Sequence, residues 1–149
     1  MTEQTRQSTT VHLERRGPLI DLDAESRVLP ALSIDNNSLP ENERGGTAKK
    51  LLGSSVLYCY VAALDKALAT RGIVYDHIEA HAEVVAGSDD KGRSRIVGIT
   101  LTVLVHADEE YEELFERVCK VMRQGCLISA SLEAAFPVTY DLKLVCPDD

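Results

Sequence analysis

The chain has 149 residues, of which 44% are hydrophobic and 27% are charged, a composition typical of one globular domain and not of a disordered chain. With 24 Asp and Glu against 16 Lys and Arg, the formal net charge is −8, which disfavours nucleic acid and anionic lipid as partners. No apolar run approaches the ~20 residues that a bilayer span needs, and the N-terminus has no signal-peptide core. We therefore expect a soluble cytoplasmic protein with no membrane partner.

The N-terminal part of the chain predicts short strands and a loop. Residues 1–9 are polar, and we expect them to form a disordered tail on a single domain that covers residues 1–149. Alternating apolar residues on both sides of a Gly-Pro turn at position 17 predict a pair of strands, and residues 28–34 predict a further edge segment. Residues 35–46 form a polar loop rich in Pro, Gly and Asn.

The clearest predicted element is a long apolar helix. Thr47 is a suitable N-cap and Gly72 a suitable stop, so the pattern predicts a helix from Thr47 to Arg71, about 37 Å long. Its middle, LLGSSVLYCYVAAL, is apolar or small on nearly every side. Such a helix is expected to be surrounded by sheet or by a partner chain.

Two strands with alternating polarity follow the helix. Residues 78–84 place apolar side chains on one face, and the next strand, 96–106, does the same. The pair predicts an antiparallel hairpin with one face in the core. The core-facing residues of the second strand are expected to be Val97, Ile99, Leu101, Val103 and Val105.

The remainder predicts a second helix, a short third helix and a last strand. Asp108 is expected to cap the second helix, and Gly125 predicts a break just before Cys126. Residues 129–135 predict a short helix and residues 138–144 a strand. The predicted class is α+β, with an antiparallel sheet packed on two principal helices.

Four cysteines are the candidate reactive groups: Cys59, Cys119, Cys126 and Cys146. No CxxC pair is present, so structural zinc is not expected, and the thiols are either inert core residues or redox groups. His77 and His81 share a strand face but lie about 13 Å apart at ~3.3 Å per residue, so no metal site is expected there.

The order of these motifs resembles the OsmC/Ohr family, named for osmotically inducible protein C and organic hydroperoxide resistance protein. The matching features are an N-terminal hairpin, a Gly-Gly loop, a long helix containing GSSVLYC, a β-hairpin, and a second helix leading to CLISASLEAAFPVTYDL. The likeness covers roughly Val11 to Val145. It implies an intertwined homodimer in which antiparallel sheets wrap around two long central helices.

The resemblance also implies a reaction. Members are thiol-dependent peroxidases, and by position Cys59 is the peroxidatic cysteine and Cys126 the resolving cysteine. The Cys59 thiolate attacks an organic hydroperoxide, and the resulting sulfenic acid condenses with Cys126 to form a disulfide. A thiol or lipoyl-type reductant then restores the thiols, and no bound cofactor is expected.

The chain departs from the family pattern around the reactive cysteine. In the family an arginine pairs with that cysteine, and a glutamate ten residues before the cysteine orients the arginine, whereas this chain has Lys49 at that position. Arg15 and Arg16 lie at about the right distance upstream, and adjacent strand residues face opposite ways, so at most one of them faces the site. Arg16 is the candidate. Cys126 precedes a leucine where the family usually has a proline.

These departures leave a second hypothesis open. Under this hypothesis the chain is a catalytically impaired OsmC-fold protein that binds a small apolar ligand at the dimer interface. Cys119 and Cys146 are bystanders in both hypotheses. Arg15, Arg16 and other arginines remain alternatives for the residue that activates Cys59.

Overall fold

The structure, a computed structural model, describes residues 6–147 and divides the chain into two compact units, Met1–Gly45 and Gly46–Asp149. The tail predicted for residues 1–9 lies partly outside the described residues, and residues 6–11 have no regular secondary structure. The last two residues also lie outside them. A single domain over the whole length stays a prediction, and each unit is presented by itself.

The first unit is a three-stranded antiparallel sheet in the order β1-β2-β3. Its strands are β1 (His12–Arg16), β2 (Leu19–Asp23) and β3 (Leu32–Asp35), and two short 3₁₀ turns follow at Asn36–Ser38 and Glu41–Glu43. The third strand begins later than predicted. The hydroxyl of Ser26 accepts the backbone N–H groups of Val28 and Leu29, which bends this stretch away from an extended course before Pro30.

The second unit opens with α1 (Thr47–Thr70), close to the predicted helix. The predicted cap was wrong by one residue. Gly46, with φ of 77°, is the N-cap, and Thr47 is the first helical residue. Gly72 ends the helix as predicted, with φ of +70°, a conformation that glycine adopts without a steric penalty.

One stripe of α1 is buried, and the opposite side is exposed. The buried residues are Gly53, Val56, Tyr60, Leu64 and Leu68, spaced three and four apart. Tyr58 is 79% exposed. Contrary to the sequence expectation, the segment Glu41–Thr70 is long and apolar enough to meet the criteria for a membrane span, although the core helix of a globular protein meets them as well.

The second sheet has the order β4-β5-β6, with β4 (Tyr75–Ser88), β5 (Ser94–Ala107) and β6 (Val138–Val145). The predicted antiparallel hairpin of β4 and β5 is confirmed. The expectation of a wholly antiparallel sheet was wrong, because β6 pairs with β5 in parallel. The connection between these strands passes through two helices, which return the chain to the end of the sheet where β5 began.

These two helices are α2 (Glu112–Met122) and α3 (Leu127–Leu132). Asp108 caps the 3₁₀ turn Glu109–Tyr111, since its carboxylate accepts the N–H of Glu110 at 3.0 Å. The N-cap of α2 itself is Tyr111, so the predicted cap was wrong by three residues. The predicted break at Gly125 separates the helices.

The core of the second unit lies between the sheet and the helices. Its fully buried strand residues, Ile99, Leu101, Val103 and Val105, follow the predicted alternation. Val97 does not, because an irregularity between Val85 and Ala86 shifts the pairing and leaves Val97 41% exposed. The chain therefore has an α+β fold, and the intertwined homodimer stays a prediction.

Candidate thiol site

The structure brings Cys59 and Cys126 together from distant parts of the sequence. Cys59 lies in the middle of α1 and is partly exposed, whereas Cys126 lies at the start of α3 and is 6% exposed. Each thiol lies close enough to the other to shift its pKa, and both thiols are free. Two neighbouring reduced thiols are the arrangement from which a disulfide can form on oxidation.

Local geometry fixes the position of Cys126. Its backbone is extended, with φ of −121°, and it is the N-cap of α3. Its sulfur accepts the N–H of Ser129 at 3.4 Å, and the Ser129 hydroxyl accepts the N–H of Cys126 at 2.9 Å. This reciprocal capping box satisfies two free donors at the helix start. Leu127 occupies the first helical position, where proline is common, so the capping box defines the helix start without a proline.

Gly125 makes room for this cap. Its φ is +72°, and a Cβ at this position would overlap the Tyr140 hydroxyl and lie 2.6 Å from Ser129 Oγ. The break predicted from the glycine therefore has a second function. It lets a tyrosine from β6 approach the cap of α3.

A polar network continues from Cys126 into the sheet. Ser129 is fully buried, and its Oγ lies 3.3 Å from the Cys126 sulfur and 2.8 Å from Tyr140 Oη. Tyr140 Oη also lies 2.8 Å from a Glu133 carboxylate oxygen, so Ser129 and Glu133 compete for its single proton, and its ring stacks on Tyr60 with the centroids 5.3 Å apart. Burial raises the pKa of Tyr140 to about 12, so it stays protonated at neutral pH.

The environment of Cys126 favours its ionised form. Burial alone would raise its pKa, but hydrogen bonds from the hydroxyl and the amide of Ser129 and from the Cys59 thiol lower it below the ordinary value for a cysteine. Cys126 is therefore the thiol of this pair that loses its proton more readily.

Cys59 is shifted in the opposite direction. Burial raises its pKa, and the hydrogen bond to Cys126 and the charge of Cys126 raise it further, while the backbone amides of Ile128 and Leu127 partly oppose the shift. Among the described residues of the second unit, no basic side chain is one of the groups that shift the pKa of Cys59 most. The resemblance implies that Cys59 attacks as a thiolate, so a cation from elsewhere has to favour its ionisation.

The predicted arginines lie in the first unit. Arg16, at the end of β1, donates to the Glu14 carboxylate at 2.9 Å, and its side chain is 80% exposed. Arg15 donates through Nε to the carbonyl of Gly17 at 3.0 Å. In this arrangement both guanidinium groups bond to neighbours in their own hairpin, and a role for Arg16 at Cys59 stays a prediction.

Lys49, the residue at the position of the family's glutamate, is exposed on the first turn of α1. It lines a groove of about 480 Å³ between α1 and β4. The groove floor is mainly apolar, with Leu57 and Val84, and Lys50 is the second basic residue that lines it. Cys59 does not line this groove, so Lys49 can influence the thiol pair only through an intermediary such as an arginine.

The other two cysteines have separate surroundings. Cys119 lies 3.9 Å from the Leu142 carbonyl, and burial raises its pKa. Cys146 lies 4.0 Å from a Glu112 carboxylate oxygen, and burial and nearby carboxylates raise its pKa. Both thiols favour the protonated form and are poor nucleophiles at neutral pH.

Sequence reasoning missed Ser129, Glu133 and Tyr140 as site residues. One signal was present, because Ser129 follows Cys126 at the three-residue spacing of a capping box. Tyr140 was expected only as an apolar position of the last strand. Its contact with the α3 cap depends on the parallel placement of β6 beside β5, which strand periodicity does not reveal.

Residues 41–141 match the family model for OsmC-like protein. No curated protein matches the sequence. The family likeness noted in the sequence therefore has independent support over about two thirds of the chain.

Solved structures share the fold at low sequence identity. An OsmC-like protein from Mycoplasma pneumoniae has a TM-score of 0.69 and 13% identity, and the alignment covers 97% of this chain and 100% of that chain. An organic hydroperoxide resistance protein from Bacillus subtilis has a TM-score of 0.61 and 19% identity, with 92% and 98% covered. An OsmC-like protein of unknown function from Vibrio cholerae has a TM-score of 0.70 and 11% identity, with 94% and 100% covered.

Proposed function

The chain belongs to the OsmC-like family, and on that premise we propose that it is a thiol-dependent peroxidase that reduces organic hydroperoxides in oxidative stress defence. The observation that carries the proposal is the proximity of the reduced thiols of Cys59 and Cys126, each of which shifts the pKa of the other. The proposed compartment is the cytoplasm, where thiols of this kind are kept reduced. The proposed assembly is a homodimer.

The first chemical step is attack by the Cys59 sulfur on the peroxide. A sulfur–oxygen bond forms as the oxygen–oxygen bond breaks, and Cys59 becomes a sulfenic acid. The alkoxide that leaves takes up the proton released from the Cys59 thiol and departs as an alcohol. The sulfur loses two electrons, and the peroxide gains them.

The second step is condensation. The Cys126 thiolate attacks the sulfenic sulfur of Cys59, a disulfide forms, and hydroxide leaves. The lowered pKa of Cys126 suits this role, because a larger share of the resolving thiol is ionised when the sulfenic acid appears. An external thiol or lipoyl-type dithiol then reduces the disulfide and is itself oxidised.

The first step needs a group that favours the Cys59 thiolate, and no basic side chain of the described residues is among the groups that shift the Cys59 pKa most. The pKa of Cys59 is raised by burial and by Cys126, so a cation is required to favour its thiolate. Arg16 is the proposed cation, either from the same chain or from the second copy in the dimer. Exchange of its partner Glu14 for the thiolate is the proposed activating event.

The proposal is tested by peroxide consumption. Reduced protein is mixed with cumene hydroperoxide and dithiothreitol, and wild type is compared with Cys59→Ser and with Cys119→Ser as a matched control. We expect Cys59→Ser to fall to the uncatalysed rate and Cys119→Ser to keep wild-type activity. Equal slow rates in wild type and Cys59→Ser would refute the peroxidase function.

The order of attack is tested separately by trapping. Peroxide-treated Cys126→Ser is expected to carry a dimedone adduct at Cys59, detected by mass spectrometry, because the sulfenic acid then has no resolving thiol. A sulfenic acid on Cys126 in Cys59→Ser, with none on Cys59 in Cys126→Ser, would reverse the two roles. This comparison is informative because the pKa of Cys126 is lowered and that of Cys59 is raised, so Cys126 ionises more readily although Cys59 is proposed to attack the peroxide.

A second candidate function is favoured by the groove beside Lys49. Its apolar floor and two lysines suit a small apolar molecule with an anionic end, and the thiol pair is not needed for binding. Binding of anilinonaphthalene sulfonate by a Cys59→Ser variant, and its loss in Leu57→Asp, would support this candidate. Full peroxidase activity in Leu57→Asp would show that the groove is dispensable for turnover.

A further inference from the structure

A cluster of three metal-ligating side chains lies on the face of the second sheet opposite the core. His77 and Glu79 are two residues apart on β4 and therefore share a face. A register shift between Tyr75 and His77 places His77 directly opposite His106 of β5. From the sequence, only the distance from His77 to His81 on the same strand could be considered. The histidine that can share a site with His77 is His106, on the adjacent strand.

The ligand atoms of the cluster converge. His106 Nε2 lies 2.6 Å and His77 Nε2 3.7 Å from the same oxygen of Glu79, and all three atoms lie within 4.8 Å of one another. The two imidazole rings stack with their centroids 3.9 Å apart. Tetrahedral ligands about 2.0–2.1 Å from a zinc ion are about 3.3 Å apart, a value between the two nitrogen–oxygen distances here. Because the rings are 11° from parallel, each imidazole has to rotate for both Nε2 lone pairs to point at one ion.

The orientation of His77 is fixed by a further carboxylate. Asp76 Oδ2 lies 2.6 Å from His77 Nδ1, so that nitrogen donates to the carboxylate and Nε2 is left to face Glu79. A carboxylate that holds the second nitrogen of a histidine is the usual outer partner of a metal ligand, because it sets the tautomer and raises ligand basicity.

The charge around the cluster is favourable for a cation. Glu79 and Asp76 contribute two carboxylates, and the chain carries a net charge of −8. Lys143, on the neighbouring strand β6, is engaged with Asp141 at 3.6 Å. His77 and Glu79 are about half exposed, and His106 is 25% exposed, so an ion can reach the cluster from solvent.

We propose that His77, Glu79 and His106 form a binding site for a divalent transition-metal ion such as zinc. Two imidazoles and one carboxylate are the ligand types that zinc accepts, and three protein ligands leave a position for water or a further ligand. The site is independent of the thiol pair, since its ligands come from β4 and β5.

The test is titration of reduced protein with Zn²⁺ by calorimetry and with Co²⁺ by absorption. Wild type is expected to bind one ion per chain without a thiolate-to-cobalt charge-transfer band. Substitution of a residue that supports a metal ligand typically lowers metal affinity about 10–100-fold, and we expect this loss for Asp76→Asn. His106→Ala and His77→Ala each remove a ligand, so their affinity is expected to fall by more than ~100-fold. The matched control is His81→Ala, an exposed histidine on the same face of β4.

The variants also separate this site from the cysteines. A Cys59→Ser/Cys126→Ser double variant is expected to keep the ion with wild-type affinity, whereas loss of binding in that variant would assign the ion to the thiols and overturn the proposal. Binding that survives in His106→Ala, or no binding by wild type at millimolar ion, would overturn it as well. Circular dichroism of the variants is expected to match wild type, because the substituted side chains lie outside the core.

Discussion

Tyr140 Oη lies 2.8 Å from Ser129 Oγ, and this contact joins the last strand of the sheet to the cap that holds Cys126. Ser129 is fully buried, so its hydroxyl has no water to replace a lost partner. Tyr140 stays protonated, and when it donates its proton to Ser129 Oγ, the Ser129 hydroxyl proton is free to face the Cys126 sulfur. The network thus stabilises the thiolate of Cys126 from within the core.

Ser129→Ala is expected to slow disulfide formation. It removes a hydrogen bond to sulfur, so the pKa of Cys126 moves up toward its ordinary value. A higher pKa leaves less Cys126 thiolate at neutral pH, but the remaining thiolate is a stronger nucleophile, which offsets part of the loss. The rate of disulfide formation at neutral pH should therefore fall about threefold to tenfold, and its pH profile should shift to higher pH. Stopped-flow measurement after a peroxide pulse checks this.

Ser131→Ala is the control for that substitution. Ser131 lies on the same short helix but is exposed, and its hydroxyl donates to the Leu127 carbonyl. An identical slowing in both variants would show that α3 has been weakened as a whole, and the specific role of Ser129 would then be rejected.

Gly125→Ala is expected to destabilise the fold and to break the Tyr140 contact. The added methyl group would lie 2.6 Å from Ser129 Oγ in a backbone conformation that alanine rarely adopts. Gly92→Ala is the control, since Gly92 has a similar φ of +75° but open space around its Cα. Urea denaturation should show a loss of about 1 kcal/mol for Gly92→Ala and about 1–3 kcal/mol more for Gly125→Ala. Equal losses would exclude the steric contribution.

Much of the second unit could be predicted from sequence because burial imposes periodicity. The alternation in β4 and β5 identified both strands, and Asp108 and Gly72 marked element ends through local chemistry. Strand direction could not be predicted this way, because an alternating pattern reads the same in both directions. Val97 was wrongly predicted to face the core, because the shift in strand pairing at Val85 and Ala86 cannot be recognised from the residue types of the strand.

The candidate site was predictable in part. Cys59 and Cys126 were identified by their position within a family pattern, and in the structure each thiol is near enough to shift the pKa of the other. The order of their pKa values was not predictable, because it depends on Ser129 and on amides of α3 that approach α1 only in the folded chain. The pairing of His77 with His106 likewise depends on a shift in strand register.

Cys126→Ser is expected to make Cys59 easier to ionise. The hydrogen bond to Cys126 and the charge of Cys126 both raise the pKa of Cys59, so removal of that sulfur lowers it. The pH at which Cys59 is half-maximally reactive toward iodoacetamide should therefore move down, as followed by mass spectrometry. Cys119→Ser should leave the curve unchanged, and an upward shift in Cys126→Ser would contradict the assigned coupling.

Tyr58→Asp is expected to weaken self-association. Tyr58 is 79% exposed on the side of α1 opposite its buried stripe, and the proposed dimer covers this apolar side. Loss of a buried interface tyrosine typically costs about 2 kcal/mol or more, which is roughly a 30-fold weaker dimer. Light scattering should give twice the 16.3 kDa chain mass for wild type and less for the variant. Lys66→Asp, also exposed on α1, is the control, and a monomeric wild type would refute the dimer.

Lys49→Glu is expected to raise peroxidase activity. A lysine at this position repels the guanidinium that the proposed mechanism needs beside Cys59, whereas a carboxylate would attract and orient it. Because Lys49 is exposed, the gain should correspond to a surface ion pair, about twofold to fivefold in kcat/KM. Lys50→Glu introduces the same change in charge one residue along the helix and should have a smaller effect, because adjacent helical residues project about 100° apart. Equal gains in both variants would point to a general charge effect, and no gain in Lys49→Glu would show that the chain activates Cys59 without the family's glutamate.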